Sequence, residues 1–346
     1  MQRGTNQRRF LLLAAAMVGS LAAAGQQAAP APPAPAPSAD LSSASGQEPR
    51  IESAQPADPA LAECLALIEK RAYAQADKGI RTYLTGHPDS ADGHFLLGYA
   101  LYRENQPRES LAEYTSGAQL RKPTANVLAV VAMDYILLRD YADADKWLTQ
   151  ATAWIPDNEL YWYYLGRTRY AENHFQEAIH AFNQCLTLTP HDLRAEYNLG
   201  LAYAGLGRND EAAAAYRTAI AWDQDSAAKD PQPYLDLGTL LLDEGKPDEA
   251  LPALQQAVAL DPQNPRAHEQ LGQTWEQLKN LSQADTEMHA AVKLAPDVAS
   301  LHFELGRILQ REGLTANARA EFARCAALNA NHSTDSAPTP NPAPRQ

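Results

Sequence analysis

The sequence is poor in the residues that most chemistry needs. Cysteine occurs three times in 346 residues, as Cys64, Cys185 and Cys325. An odd number at such wide spacing makes neither a disulfide framework nor a paired-thiol metal motif, and the three are read as small buried residues. The nine histidines are scattered, and His268-Glu269 has no second histidine four residues on, so the zinc-protease pattern H-E-x-x-H is absent. There is no Gly-rich phosphate loop and no G-x-S-x-G elbow. Asp223 and Asp225 hint at a calcium loop, but the central glycine is missing and the closing place is Tyr234, so an EF-hand is rejected. Basic residues are outnumbered, 29 against 42 acidic ones, for a formal charge of −13. That balance argues against a nucleic acid or an anionic membrane surface as partner. No cofactor, metal or small-molecule substrate is expected.

The N-terminus holds the one long apolar run of interest. Arg3, Arg8 and Arg9 precede Phe10–Ala24, a run of 15 residues. A membrane-spanning helix needs roughly 20, and Ala22 and Ala24 give an A-x-A cleavage pattern. Residues 1–25 are therefore read as a signal peptide cut near Gly25, and the protein as exported, periplasmic or secreted, with membrane contact only through partners. Arg8-Arg9 before Phe10-Leu11-Leu12 faintly suggests twin-arginine export, but an ordinary secretory signal fits the flanks better. Residues 26–56, with Pro30, Pro32, Pro33, Pro35 and Pro37 among alanines, read as a disordered linker. Residues 331–346, with Pro338, Pro340, Pro342 and Pro344, read as a disordered tail.

Between them runs a repeat of period 34. Its marks are Leu-Gly pairs ending at Gly98, Gly166, Gly200, Gly238, Gly272 and Gly306, with Ala132 and Cys64 filling the places one period before Gly166 and Gly98. Four extra residues separate Gly200 from Gly238. Twelve residues after each mark stands a small residue: Ala76, Ser110, Ala144, Ala178, Ala212, Ala250, Ala284 and Ala318. Sixteen after stands a bulky one: Ile80, Tyr114, Leu148, Phe182, Tyr216, Leu254, Met288 and Phe322. Proline closes many units, at Pro88, Pro156, Pro190, Pro262 and Pro296. The spacing predicts pairs of antiparallel helices that approach closely where glycine meets the small residue. The bulky residue fills the space alongside. One such pair cannot bury its own apolar face, so neighbours must stack.

This pattern resembles the tetratricopeptide repeat family, whose signature W-x2-L-G-x2-Y…A-x3-F…P is met most fully by Trp162, Leu165, Gly166, Ala178, Phe182 and Pro190. Arg169 departs from it where tyrosine is usual. The resemblance covers residues 57–330 in about eight units and implies an all-α fold, a right-handed superhelix of antiparallel helix pairs. His94, His268 and His302 share the place of the motif's Trp, where a packing role outweighs a metal site.

The resemblance also implies where a partner would sit. In this family the first helix of each pair lines a groove that grips peptides, on a stripe at −6, −3, +1, +4 and +5 from the glycine. Read off this sequence, the stripe gives Phe95, Tyr99 and Tyr102, then Asn126 and Met133 with Ile136 and Leu137. It continues with Tyr163, Arg167 and Tyr170, then Arg194 and Tyr197. Toward the C-terminus it turns polar, with Arg266, Glu269, Gln273, Glu276 and Gln277, which are read as solvated, and then Phe303, Arg307 and Arg311. The Lys-Asn-Arg clamp that holds a terminal carboxylate in chaperone-binding relatives is missing. The functional expectation is a non-enzymatic scaffold that binds a protein or extended peptide in this groove. A self-assembling solenoid, and so a homo-oligomer, is the alternative, with an accessory role in an envelope enzyme complex behind it.

Overall fold

The structure is a computed structural model that describes residues 58–224 and 228–335. The expected signal peptide and linker lie outside the described residues, as does the tail beyond 335. Among the described residues there are sixteen α-helices and no strand. They fall into two compact units that part at Leu206 and Gly207.

The first unit holds α1 (Pro59–Glu69), α2 (Tyr73–Gly86), α3 (Ala91–Arg103), α4 (Pro107–Leu120), α5 (Ala125–Leu137), α6 (Tyr141–Trp154), α7 (Glu159–Ala171), α8 (Phe175–Leu188) and α9 (Leu193–Gly205). Helices α1 to α8 pack as four consecutive pairs, with α9 against α8. The second unit holds α10 (Asn209–Trp222), α11 (Gln232–Asp243), α12 (Pro247–Leu260), α13 (Pro265–Gln277), α14 (Leu281–Leu294), α15 (Ala299–Arg311) and α16 (Thr315–Asp335). Here α11 to α16 pack as three pairs and α10 lies against α11. The tail boundary expected at 330 falls inside α16, which runs on to Asp335.

The repeat positions do what their sizes demand. Every small residue at the twelfth place is buried, from Ala76 to Ala318. The bulky residues at the sixteenth place are buried too, except Phe322 in the last pair, which is half-buried. The glycines are needed for close approach: a Cβ on Gly166 would lie 2.6 Å from the Phe182 ring, and one on Gly306 2.7 Å from Phe322. The unusual Arg169 has a clear role, since its Nε donates to Asp145 of α6 at 2.7 Å and so ties α7 to the preceding pair.

Helix starts and turns repeat as strictly. Ser90, Thr124, Asn158, Asp192 and Asn264 each stand eight residues before a mark, and their side chains accept first-turn N–H groups of α3, α5, α7, α9 and α13. Seven residues after each mark the backbone is left-handed, at Arg71, Asn105, Arg139, Asn173, Gly207, Gly245, Lys279 and Gly313. Only three of these eight are glycine, so Arg71, Arg139 and Lys279 hold a conformation that costs a side-chain-bearing residue about 1 kcal/mol or more.

One polar cluster is built into the core of the first unit. Ser110 Oγ, on α4, lies 2.8 Å from the Gly98 carbonyl and 2.6 Å from Asp134 Oδ2 on α5. A hydroxyl has one proton to give. If Ser110 donates it to the carbonyl, the short second contact needs a proton on Asp134. Burial pushes the Asp134 carboxyl well above the usual carboxylate range, and the Ser110 hydrogen bond only partly offsets that. The Tyr114 phenol beside it is also raised, by burial first and then by Asp134 and Tyr99.

Candidate functional site

Within the first unit the first helices of successive pairs lie beside one another, α1 by α3, α3 by α5 and α7 by α9. The ten stripe residues expected to grip a partner, Phe95, Tyr99, Tyr102, Asn126, Met133, Tyr163, Arg167, Tyr170, Arg194 and Tyr197, stand on α3, α5, α7 and α9 of this unit. The structure sorts them by depth. Phe95, Tyr99, Asn126, Met133 and Tyr163 are buried, while Tyr102, Arg167, Tyr170, Arg194 and Tyr197 are partly exposed. The stripe therefore has a floor and a rim.

The floor is made of aromatic packing. Tyr163 is 4% exposed and meets Tyr164 and Phe182 at ring-centroid distances of 5.4 and 6.3 Å. Phe95 tilts against Tyr114 at 6.3 Å. Asn126 turns inward, accepting the Tyr161 hydroxyl hydrogen bond across from α7 to α5. At the α3 end, Arg103 lies 4.8 Å over the Tyr73 ring and donates to the Tyr99 hydroxyl at 3.3 Å.

The rim carries the charge. The Arg194 guanidinium sits 4.7 Å above the Tyr163 ring, and that of Arg167 sits 5.8 Å from the same ring. Arg194 is held by Asp192, which caps the same helix, at 2.7 Å. Among the described residues Arg167 has no ion-pair partner; its contact is the Tyr163 face. Tyr170 packs on Phe175 at 5.4 Å. The arrangement brings Tyr163, Arg167 and Arg194 together on adjacent helices α7 and α9. Phe95, Tyr99 and Tyr102 form a separate group on α3.

The C-terminal stretch of the stripe differs from the sequence expectation. Glu276 was read as solvated but is buried, with Arg307 and Arg311 each 2.5 Å from its carboxylate. The two arginines on α15 reach back to α13 and close over it. Burial raises the Glu269 carboxyl, with Glu304 adding to it, and raises that of Glu304, where Arg307 partly offsets the rise and Glu276 adds to it. Sequence reasoning missed this network, although the i, i+4 pair Arg307 and Arg311, flanking the place one period beyond Glu276, was there to find.

Other chemistry is thin. The cysteines are free, Cys64 and Cys185 buried and Cys325 half-buried, and burial pushes the Cys185 thiol up to about 12. Among the described residues no three His, Cys, Asp or Glu side chains gather as a metal would require. No described helix is long and apolar enough to cross a membrane.

Helix pairs stacked at a 34-residue period, with glycine against a bulky side chain such as Tyr114, Phe182, Leu254 or Phe322, define the class. Sequence profiles described as tetratricopeptide repeat match residues 163–231 and 241–302, so these stretches are tetratricopeptide repeats. The helical-pair fold is shared with one solved structure, and two shorter ones align over about half of this chain. The Cut9–Hcn1 hetero-tetramer of the APC/C aligns with a TM-score of 0.50 at 16% identity, over 80% of this chain and 54% of that one. MamA (residue 41 to the end) from Desulfovibrio magneticus RS-1 aligns at 0.47 and 22% identity, over 51% of this chain and 97% of that one. YrrB, described as a TPR protein with an unusual peptide-binding site, aligns at 0.47 and 20% identity, over 54% and 94%. A comparison with curated proteins finds no match.

Proposed function

We propose that the protein is a non-enzymatic binding scaffold, and that the first-helix face of its first unit receives a protein or an extended peptide. The observation that carries this is Arg167 at a half-buried place on that face, its guanidinium 5.8 Å from the Tyr163 ring and with no carboxylate paired with it among the described residues. A rim of Arg and Tyr over an aromatic floor offers large contact area with hydrogen-bonding tips, the composition that interface anchors favour. The described residues gather no metal-ligand group, and the sequence carries none of the nucleophile or phosphate motifs considered above. We further propose that the chain is exported and acts in the cell envelope or outside it, on the strength of Arg3, Arg8 and Arg9 before Phe10–Ala24.

Capture of partners from envelope extract by the full chain, identification by mass spectrometry and titration of the purified partner against wild type and a rim variant test the binding reading. A partner that binds both forms equally removes this face as the site. N-terminal sequencing of the native protein tests export: a chain beginning near Gly25 supports it, and an intact Met1 on a cytoplasmic protein refutes it.

A further inference from the structure

Three histidines occupy the repeat position of Trp162, four residues before the mark, and all three are bonded in the same way. His94 Nδ1 lies 2.7 Å from Glu113 Oε2, and its Nε2 lies 3.0 Å from the Pro88 carbonyl. His268 makes the same pair of contacts, 2.7 Å to Glu287 and 3.2 Å to the Pro262 carbonyl. In His302 the distances are 2.6 Å to Glu321 and 2.9 Å to the Pro296 carbonyl. In each case the histidine is on the first helix of a pair (α3, α13, α15), the glutamate on the second (α4, α14, α16), and the proline in the loop arriving from the preceding pair. The sequence couples the two residues: the units with histidine here have glutamate 19 residues on, and the other five units have neither.

Both ring nitrogens face acceptors. A neutral imidazole has one N–H and could satisfy only one of them, leaving a lone pair opposed to an oxygen. Two good hydrogen bonds need one more proton in the pair, carried by the ring or by the carboxyl. Trp162 shows the simpler solution to the same task. Its indole N–H donates to the Pro156 carbonyl at 2.8 Å and needs no acid.

We propose that His94–Glu113, His268–Glu287 and His302–Glu321 are proton-locked clasps, in which one extra proton per pair ties the loop of the preceding helix pair to both helices of the next and is given up as pH rises. Loss of the proton breaks one of the two bonds and loosens the junction between successive pairs. Histidine is the side chain whose unperturbed charge change falls between about pH 5 and 8. Of the charges beside the clasps, Asp92 pairs with Arg121 at the first and Asp297 with Arg324 at the third, while Glu109 stands one turn before Glu113 on α4. Beside the second, Asp261 caps its own loop through Gln263 and Arg266 faces Asp236 at 3.9 Å. This inference does not depend on the binding reading.

The test follows the thermal midpoint of the full chain by circular dichroism from about pH 6 to about pH 8.5, with Asp134→Asn in every chain compared so that the buried acid of the first unit does not titrate. The chain with wild-type clasps should lose roughly 4 °C or more over that range. In Glu113→Gln/Glu287→Gln/Glu321→Gln, an amide N–H donates to Nδ1 of a neutral ring and the extra proton is no longer needed, so most of that loss should vanish. In His268→Trp/His302→Trp the indole takes over the carbonyl bond, as in Trp162, and the loss should again shrink. The two routes are chemically unrelated, so a failure of one variant to fold leaves the other decisive. A midpoint that does not fall with pH when the clasps are wild type overturns the proposal, and so do variants whose midpoints fall in parallel with it.

Discussion

The two units put different chemistry on the same face of the same repeat. In the first unit the stripe on α3, α5, α7 and α9 has an aromatic floor, and its charge stands at the rim as Arg167 and Arg194. In the second, the stripe on α13 and α15 buries a carboxylate, Glu276, under Arg307 and Arg311. The first leaves the Arg167 cation without an ion-pair partner among the described residues, and the second pairs its buried carboxylate internally. A binding face therefore cannot be read from the polarity of a stripe alone, because what matters is whether each polar group already has its partner.

The largest effect expected from breaking this contrast is on the fold. Tyr163→Ala removes a buried ring packed on Tyr164 and Phe182, and should cost about 3–5 kcal/mol of unfolding free energy in urea. Tyr163→Phe keeps the packing and should be close to neutral. A truncation at Tyr163 thus reports on the core before it reports on binding, and the rim is where binding has to be probed. There, Arg167→Ala with Tyr197→Ala should weaken a captured partner by well over about tenfold, while stability changes by less than about 1 kcal/mol. Equal binding by the double variant and wild type, measured by calorimetry, would remove the rim from the proposal.

The buried acid of the first unit gives the next effect. The folded Asp134 carboxyl titrates higher than an unfolded aspartate, so the native state binds the extra proton. Its contribution is intact below about pH 4 and declines as pH rises toward the folded value. Asp134→Asn cannot titrate, so it should gain on wild type with rising pH, at up to about 1.4 kcal/mol per pH unit. Parallel pH profiles of the two would show that Asp134 is already ionised in the fold. In the second unit, Glu276→Ala should cost about 1–2 kcal/mol, less than a fully buried pair, because Arg307 and Arg311 are 46% and 47% exposed and can return to water. Partner binding at the first unit should not change. A variant as stable as wild type would mean that the arginines shield Glu276 without stabilising it.

The architecture was legible in the sequence because its determinants are sizes at fixed spacings. Gly166, Ala178 and Phe182 have to meet whichever way the pairs stack, and they do. The stripe was legible as a set of residues on one side of the first helices but not as a surface. Place on the stripe does not fix depth: at +1 Tyr99 is buried and Arg167 partly exposed, at −3 Tyr163 is buried and Tyr197 partly exposed, and at +4 Glu276 is buried and Tyr102 partly exposed. Pairings across helices were invisible for another reason: Ser110 with Asp134, or His302 with Glu321, are 24 and 19 residues apart, and nothing in the local pattern joins them. Aligning the units against one another would have exposed the second.

The smallest effect tests whether the regularity of helix starts is energetic or only geometric. Val298 occupies the cap place of α15, with φ −90° and ψ 106°, nearly the backbone of Asn264 at −87° and 107° before α13. Asn264 accepts the N–H groups of Arg266 and Ala267, whereas Val298 has no side-chain atom to offer. Val298 is also 43% exposed, so little packing is lost when it is replaced. Val298→Asn should therefore add about 1 kcal/mol, and Asn264→Ala should remove a similar amount one repeat earlier. Both changes should show first in amide exchange of the helix they cap, slower in α15 for the former and faster in α13 for the latter. If Asn264→Ala weakens α13 and Val298→Asn leaves α15 unchanged, the first turn of α15 is already satisfied by solvent, and the cap place of the last pair carries no energetic demand.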